Sequence, residues 1–294
     1  MERVAKSAAA KGAMFGNVTG QVDRMIGDQM RNVQRGLLCV LLLALWMVGP
    51  ARAALVTGDV AFVGFNADGA DGFAFVALNS IDANSTIFFR DDELNSGAFN
   101  TGESVITWQS GATVIAAGSV VRVSNLASGV IATDLGSSAL SGVGGFGTAN
   151  EGLFAYTGVD ANTPGTFLSA IFNGTVAGSG SSLTGTGLTI GTNAIEFGNN
   201  HDVFEYTGPR NTQSTFSGYQ SLVNNPSNWL SEDGAGDQSN NGTAPDVPFN
   251  NTAFSTTTAA PEPSALLLSL SSGLALLAWW WHTQRQAASV TQGI

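Results

Sequence analysis

The sequence predicts a mainly β protein, a β-sandwich or a related sandwich or barrel, with one short helix. Three observations carry this. The apolar segments are short and rich in Val, Ile, Phe, Thr and Tyr, as half-buried pleated strands require. Each is bounded by Gly, Asn, Asp or Ser, and the segments recur at roughly regular intervals, which is the pattern of sandwiches and barrels. Gly and Pro together make 45 of 294 residues, below the roughly 25–30% that marks low complexity, so the turns punctuate a fold rather than replace one.

Residues 1–53 are read as an N-terminal extension and a signal peptide. Arg31 and Arg35 precede the apolar run Gly36 to Val48, and Ala51-Arg52-Ala53 follows it. A basic flank, an apolar stretch of this length and a small-x-small site describe a secretory leader. Cleavage is expected between Ala53 and Ala54, with Ala51 and Ala53 as the small residues of the site. The only cysteine, Cys39, lies in that run, so the exported chain has no disulfide, thiol nucleophile or cysteine metal site.

The β-rich domain is expected over 54–230. Its strands are read at 59–66, 72–80, 85–93, 104–110, 119–125, 151–158, 166–173, 193–198 and 201–208. The stretch Asn66 to Gly72, NADGADG, supplies a first hairpin turn from residues that tolerate positive φ. Near 214–224 the spacing of Phe216, Tyr219, Leu222 and Val223 predicts the helix, and Pro226 ends it. The pentapeptides FAYTG (154–158) and FEYTG (204–208) echo one another and mark two equivalent strand-to-turn corners. Residues 231–260 are polar and aperiodic and are read as a spacer.

At 265–281 an uncharged run of 17 residues reaches roughly 25 Å as a helix, the short end of a membrane span. Trp279, Trp280 and Trp281 close it at interface height, and His282 and Arg285 follow, so this end is expected to stay cytoplasmic. Pro261 and Pro263 stop the helix from extending backwards. The triplet Pro261-Glu262-Pro263 is therefore expected to be extended and readable by a processing enzyme.

Triplet, span and basic residue together resemble the PEP-CTERM sorting signal (261–285, followed by a short tail, 286–294). The signal's usual arginine cluster is reduced here to Arg285 with His282. The resemblance implies export by the secretion machinery, transient anchoring of the C-terminus in the membrane, and cleavage near the triplet by exosortase, a membrane protease-transpeptidase of Gram-negative bacteria that make exopolysaccharide. The product is then a protein of the cell surface or extracellular biofilm matrix, with exopolysaccharide as a possible partner. Residues 58–125, with GDVAFVGFN, DGFAFVAL, TIFFRDD, GESVITW and AAGSVVRVS, resemble lamin-tail-like immunoglobulin-type modules of exported bacterial proteins. That resemblance implies an immunoglobulin-like sandwich. The wider body, with EGLFAYTG, TFLSAI, GTGLTIGTNAI and YTGPR in that order, resembles a recurrent family of sorted proteins, which implies no activity.

Charge narrows the partners. Between Ala54 and Ala260 there are three basic residues, Arg90, Arg122 and Arg210, and 18 acidic ones, a net charge of −15. Such a body repels phosphate backbones, so no nucleic acid is expected to bind.

No catalytic residue is expected. The body has one histidine, His201, next to a turn, and there is no Gly-x-Ser-x-Gly elbow. Gly142 to Gly147 matches Gly-x-Gly-x-x-Gly without the strand and helix that give the motif meaning, and reads as a flexible loop. Asp91, Asp92, Glu93 and Glu103 are close in sequence and could gather at one end of the sandwich, but their spacing does not favour the paired carboxylates of glycoside hydrolysis. No cofactor is expected beyond calcium. Asn66, Asp68 and Asp71 form one oxygen-rich loop and Glu232, Asp233 and Asp237 a second, and such loops can supply calcium ligands, though neither has EF-hand spacing. A calcium-dependent glycan- or surface-binding module is the alternative to a plain matrix protein.

Overall fold

The computed structural model describes residues 54–257. The signal-peptide site at Ala51 and Ala53, the sorting residues Pro261, Glu262, Pro263 and Arg285, and the transmembrane helix expected at 265–281 lie outside the described residues. Among the described residues no helix is long and apolar enough to cross a membrane.

The domain is mainly β. The first half supplies β1 (Val60–Asn66), β2 (Gly72–Ala77), β3 (Thr86–Arg90), β4 (Leu94–Asn95), β5 (Ala98–Phe99), β6 (Val105–Gln109) and β7 (Val120–Ser124). There follow β8 (Ala132–Thr133), β9 (Ser137–Ser141), β10 (Gly152–Asp160), β11 (Thr163–Phe172), β12 (Ala194–Glu196), β13 (Val203–Tyr206) and β14 (Trp229–Glu232). They form two six-stranded sheets, ordered β14-β13-β1-β2-β7-β8 and β12-β11-β10-β3-β6-β9, plus the small β4–β5 hairpin. Pairing is antiparallel except between β11 and β12. All nine expected strands are present.

Side-chain alternation assembles the core. Phe62, Phe73 and Phe75 from the first sheet meet Phe89 and Trp108 from the second, with ring centroids 4.6–6.0 Å apart. The two sheets therefore face each other across one apolar layer, as stacked sheets do. The opposite face of the second sheet is also covered. Phe88, Phe154, Tyr156, Phe167 and Phe172 form a second cluster with Leu94 and Phe99 of the hairpin and Leu188 of the following loop.

The first turn matches its sequence: Asn66 pairs with Gly72, and Gly69 and Asp71 take φ of 61° and 39°. The expected helix is shorter than its periodicity suggests. A 3-10 turn at Phe216–Tyr219, capped by Thr215, runs into one α-helical turn, α1 (Gln220–Val223). Buried Tyr219 and Val223 satisfy the spacing within that length.

The expectation of a solvated spacer over 231–260 does not hold for 231–257. Residues Trp229 to Glu232 add the edge strand β14 to β13. Beyond it, Phe249 and Phe254 are buried. Phe249 lies so close over β1 that a Cβ on Gly64 would come within 2.6 Å of its ring. Polar composition hid this segment because two aromatic anchors and backbone hydrogen bonds, rather than a periodic face, hold it. Phe254 N donates to Gly118 O at 2.8 Å and Tyr219 Oη to Ser255 O at 2.6 Å.

The two pentapeptides fall on β10 and β13, in different sheets. In both, the tyrosine hydroxyl closes the next turn: Tyr156 Oη donates to Ala161 O at 2.5 Å and Tyr206 Oη to Pro209 O at 2.9 Å.

Candidate functional site

The sheet register brings one set of acidic side chains together. In β3, Ile87 and Phe89 face the inter-sheet core while Phe88 and Arg90 face the outer cluster. Asp91 continues the inward alternation one residue past the strand. Arg90 pairs with Val105 of β6 on one side and Phe154 of β10 on the other. The segments just outside those strands therefore flank Asp91: Glu103 before β6 and Glu151 before β10. One carboxylate oxygen from each of the three lies within 4.8 Å of the others, and among the described residues this is the one such set.

The surroundings fix this arrangement. Asp91 N donates to Ser104 O at 3.4 Å, extending the ladder. Glu103 N donates to Asp92 Oδ1 at 3.2 Å. Glu151 is held from both sides, its Oε2 accepting from Gly147 N at 2.6 Å and its Oε1 from Gly152 N at 3.0 Å. The glycine loop 142–147 packs beside the site, where Ser104 Oγ donates to Val143 O and Gly145 O. The Gly-x-Gly-x-x-Gly match is thus a structural loop, anchored by buried Phe146 stacked on Phe65 at 5.2 Å.

The electrostatics are unbalanced. Asp91 is 4% exposed, and its Oδ1 has no hydrogen-bond partner. Burial, reinforced by Glu151 and Glu103, pushes its carboxyl up to about 8. Burial also pushes Glu151 up to about 7, against the amides of Gly147 and Gly152. Glu103, the exposed member, is raised by its own partial burial and then by Glu93 and Asp92. No arginine answers these charges. Arg90 turns to the opposite face, where it pairs with Asp92 at 2.6 Å, bonds Asn100 O and Asn162 Oδ1, and stacks over Phe99. Arg122 pairs with Asp134, and Arg210 bonds the carbonyls of Asn250 and Thr252.

Of the four carboxylates singled out in sequence, Asp91 and Glu103 converge. Asp92 serves Arg90, and Glu93 accepts from Asn100 Nδ2. Glu151 was missed because it reads as the polar residue opening a strand. Its signal lay in long-range register, which local spacing does not carry.

The two loops expected to bind calcium meet each other. Asp68 Oδ2 accepts from Gln238 N at 2.6 Å, and the Asp237 carboxylate lies against Gly69. Asn66 Oδ1 accepts from Asp68 N, and Asp71 Oδ2 from Phe146 N at 2.6 Å. Asp237 Oδ1 caps a 3-10 turn through Ser239, and Glu232 Oε1 accepts from Asn241 Nδ2. Asp233 raises the neighbouring Asp202, whose own burial is the larger cause. These side chains chiefly tie loops together.

His201 Nδ1 lies 2.8 Å from Ser231 Oγ, with its ring stacked near Phe204. Among the described residues no carboxylate hydrogen-bonds its other nitrogen, so the orienting group of a hydrolytic triad is missing from the arrangement. No protein-family model, curated protein or solved structure matches the chain.

Proposed function

We propose that this chain is an exported, non-catalytic β-sandwich protein of the cell surface or exopolysaccharide matrix of a Gram-negative bacterium. Its signal peptide takes it across the membrane, its C-terminal segment holds it there, and exosortase cuts it near Pro261-Glu262-Pro263. The observation that carries this is the terminal arrangement of triplet, 17 uncharged residues and Arg285, in a chain that also bears a leader. The immunoglobulin-like reading of 58–125 is supported by β1, β2 and β7 lying in one sheet and β3 and β6 in the facing one.

The folded body bears on where the cut falls. Thr257 N donates to Gln213 O at 2.9 Å, so the body is pinned up to three residues before Ala260 is passed and Pro261 begins. On this reading a cut at the triplet falls within a few residues of the pinned Thr257. The test is the intact mass of the mature protein from a host that makes exosortase. A C-terminus between Pro261 and Pro263 is expected. A mass running to Ile294, with the protein still in the membrane fraction, would make the tail a plain anchor and end the sorting reading.

A further inference from the structure

We infer that Asp91, Glu103 and Glu151 form a binding site for one calcium ion at the end of the second sheet. The inference stands apart from the sorting reading and needs none of it.

Three independent observations converge on this site. The first is distance. Calcium binds oxygen at about 2.3–2.6 Å, so two oxygens sharing one ion lie at most ~5 Å apart. The three carboxylates meet that limit pairwise, at 4.8 Å or less. The second is the buried Asp91 Oδ1, which has no hydrogen-bond partner and comes from a side chain almost wholly removed from solvent. A buried acceptor without a donor costs roughly 1–3 kcal/mol, and a carboxylate more, so a fold that keeps one in this position needs something to coordinate it. The third is the lack of a basic partner, since the three arginines of the domain are committed elsewhere.

The chemistry of the donors selects the ion. All three are hard carboxylate oxygens with no His or Cys in the set, which disfavours zinc. The donors come from three segments outside the strands, where magnesium's demand for near-ideal octahedral geometry is hard to meet. That suits calcium, which accepts six to eight oxygens in irregular shells, better than magnesium. Water completes such a shell through the open side of exposed Glu103. Bound there, the ion ties the ends of β10, β3 and β6, three adjacent inner strands of the second sheet, and through Glu151 it steadies the glycine loop.

The test uses the full chain in detergent, stripped with EDTA and melted at pH 8 with and without calcium chloride at fixed ionic strength. At a calcium concentration about a hundred times Kd, Tm is expected to rise by roughly 5–10 °C, reversibly with EDTA. Calorimetry is expected to give one site per chain. Asp91→Asn and Glu103→Gln should each abolish most of the shift, whereas Asp68→Asn and Asp237→Asn should keep it. Glu103→Gln changes an exposed residue, so it guards against a fold lost at position 91. No shift, a shift that survives both Asp91→Asn and Glu103→Gln, or an equal shift with magnesium would overturn the assignment.

Discussion

Asp91 shows how one residue can be legible in sequence while its role is not. Its type and its position after TIFFR are plain to read, and alternation along β3 turns it inward. The structure adds Glu151, sixty positions away in the chain, and the glycine loop whose Gly147 N donates to it. A pH dependence follows. Burial pushes the folded carboxyl of Asp91 from its ordinary 3.8 up to about 8. Folded protein therefore binds the proton more tightly than unfolded protein does. The stability this contributes is complete below pH ~4 and is lost as pH rises through about 8. Glu103 and Glu151 face the same site and shift in the same direction, while Asp92 pairs with Arg90. In EDTA, Tm is expected to fall between pH 5 and pH 8.5. Asp91→Asn should flatten that fall and raise Tm at the alkaline end. Melting curves across pH check this; a variant with the same slope as the wild type would mean the buried carboxyl does not titrate in that range.

At the scale of elements, legibility followed hydrophobic pattern. Strands β1, β2, β3, β6, β7 and β10 to β13 bury aromatic and branched side chains and were read directly. The strands missed are of a different kind. The edge strand β9, SSALS, alternates only between exposed and half-buried positions, and β4, β5 and β8 are two residues long. Backbone pairing defines β8 and β9, and β4 and β5 bury Leu94 and partly bury Phe99 over runs too short to show a pattern, so none of them leaves a mark on a single sequence. The same holds for 231–257, which polar composition made into a spacer although Phe249 and Phe254 anchor it. Phe254 stacks on Tyr206 at 5.7 Å and meets Tyr219 edge-on at 4.9 Å, with the Arg210 guanidinium 5.0 Å from its ring. Replacing it with Ala removes a buried ring and leaves a cavity. Phe254→Ala should cost about 3–5 kcal/mol, read as a lower midpoint in urea unfolding. A change below about 0.5 kcal/mol, the usual effect of a surface substitution, would restore the spacer reading.

The whole molecule is governed by its charge. Eighteen carboxylates and three arginines share one small body. Arg90 is buried with Asp92, and Arg122 and Arg210 are spent on nearby carbonyls and Asp134. Such a surface repels itself and destabilises the compact state, while keeping the protein soluble. Salt screens that repulsion over a distance that shrinks from about 30 Å at 0.01 M to about 10 Å at 0.1 M. It weakens the partly exposed Arg122–Asp134 pair too, but exposed pairs contribute only about 0–1 kcal/mol, and repulsion among the many acidic groups outweighs one pair. Raising sodium chloride from 0.01 to 0.3 M in EDTA is therefore expected to move the urea midpoint upward. A midpoint that stays fixed or falls would show that local pairing, not net charge, dominates. The same experiment separates two effects of calcium on an acidic body. Diffuse screening should be matched by sodium chloride at equal ionic strength and should survive Asp91→Asn, whereas an ion held between Asp91, Glu103 and Glu151 should do neither.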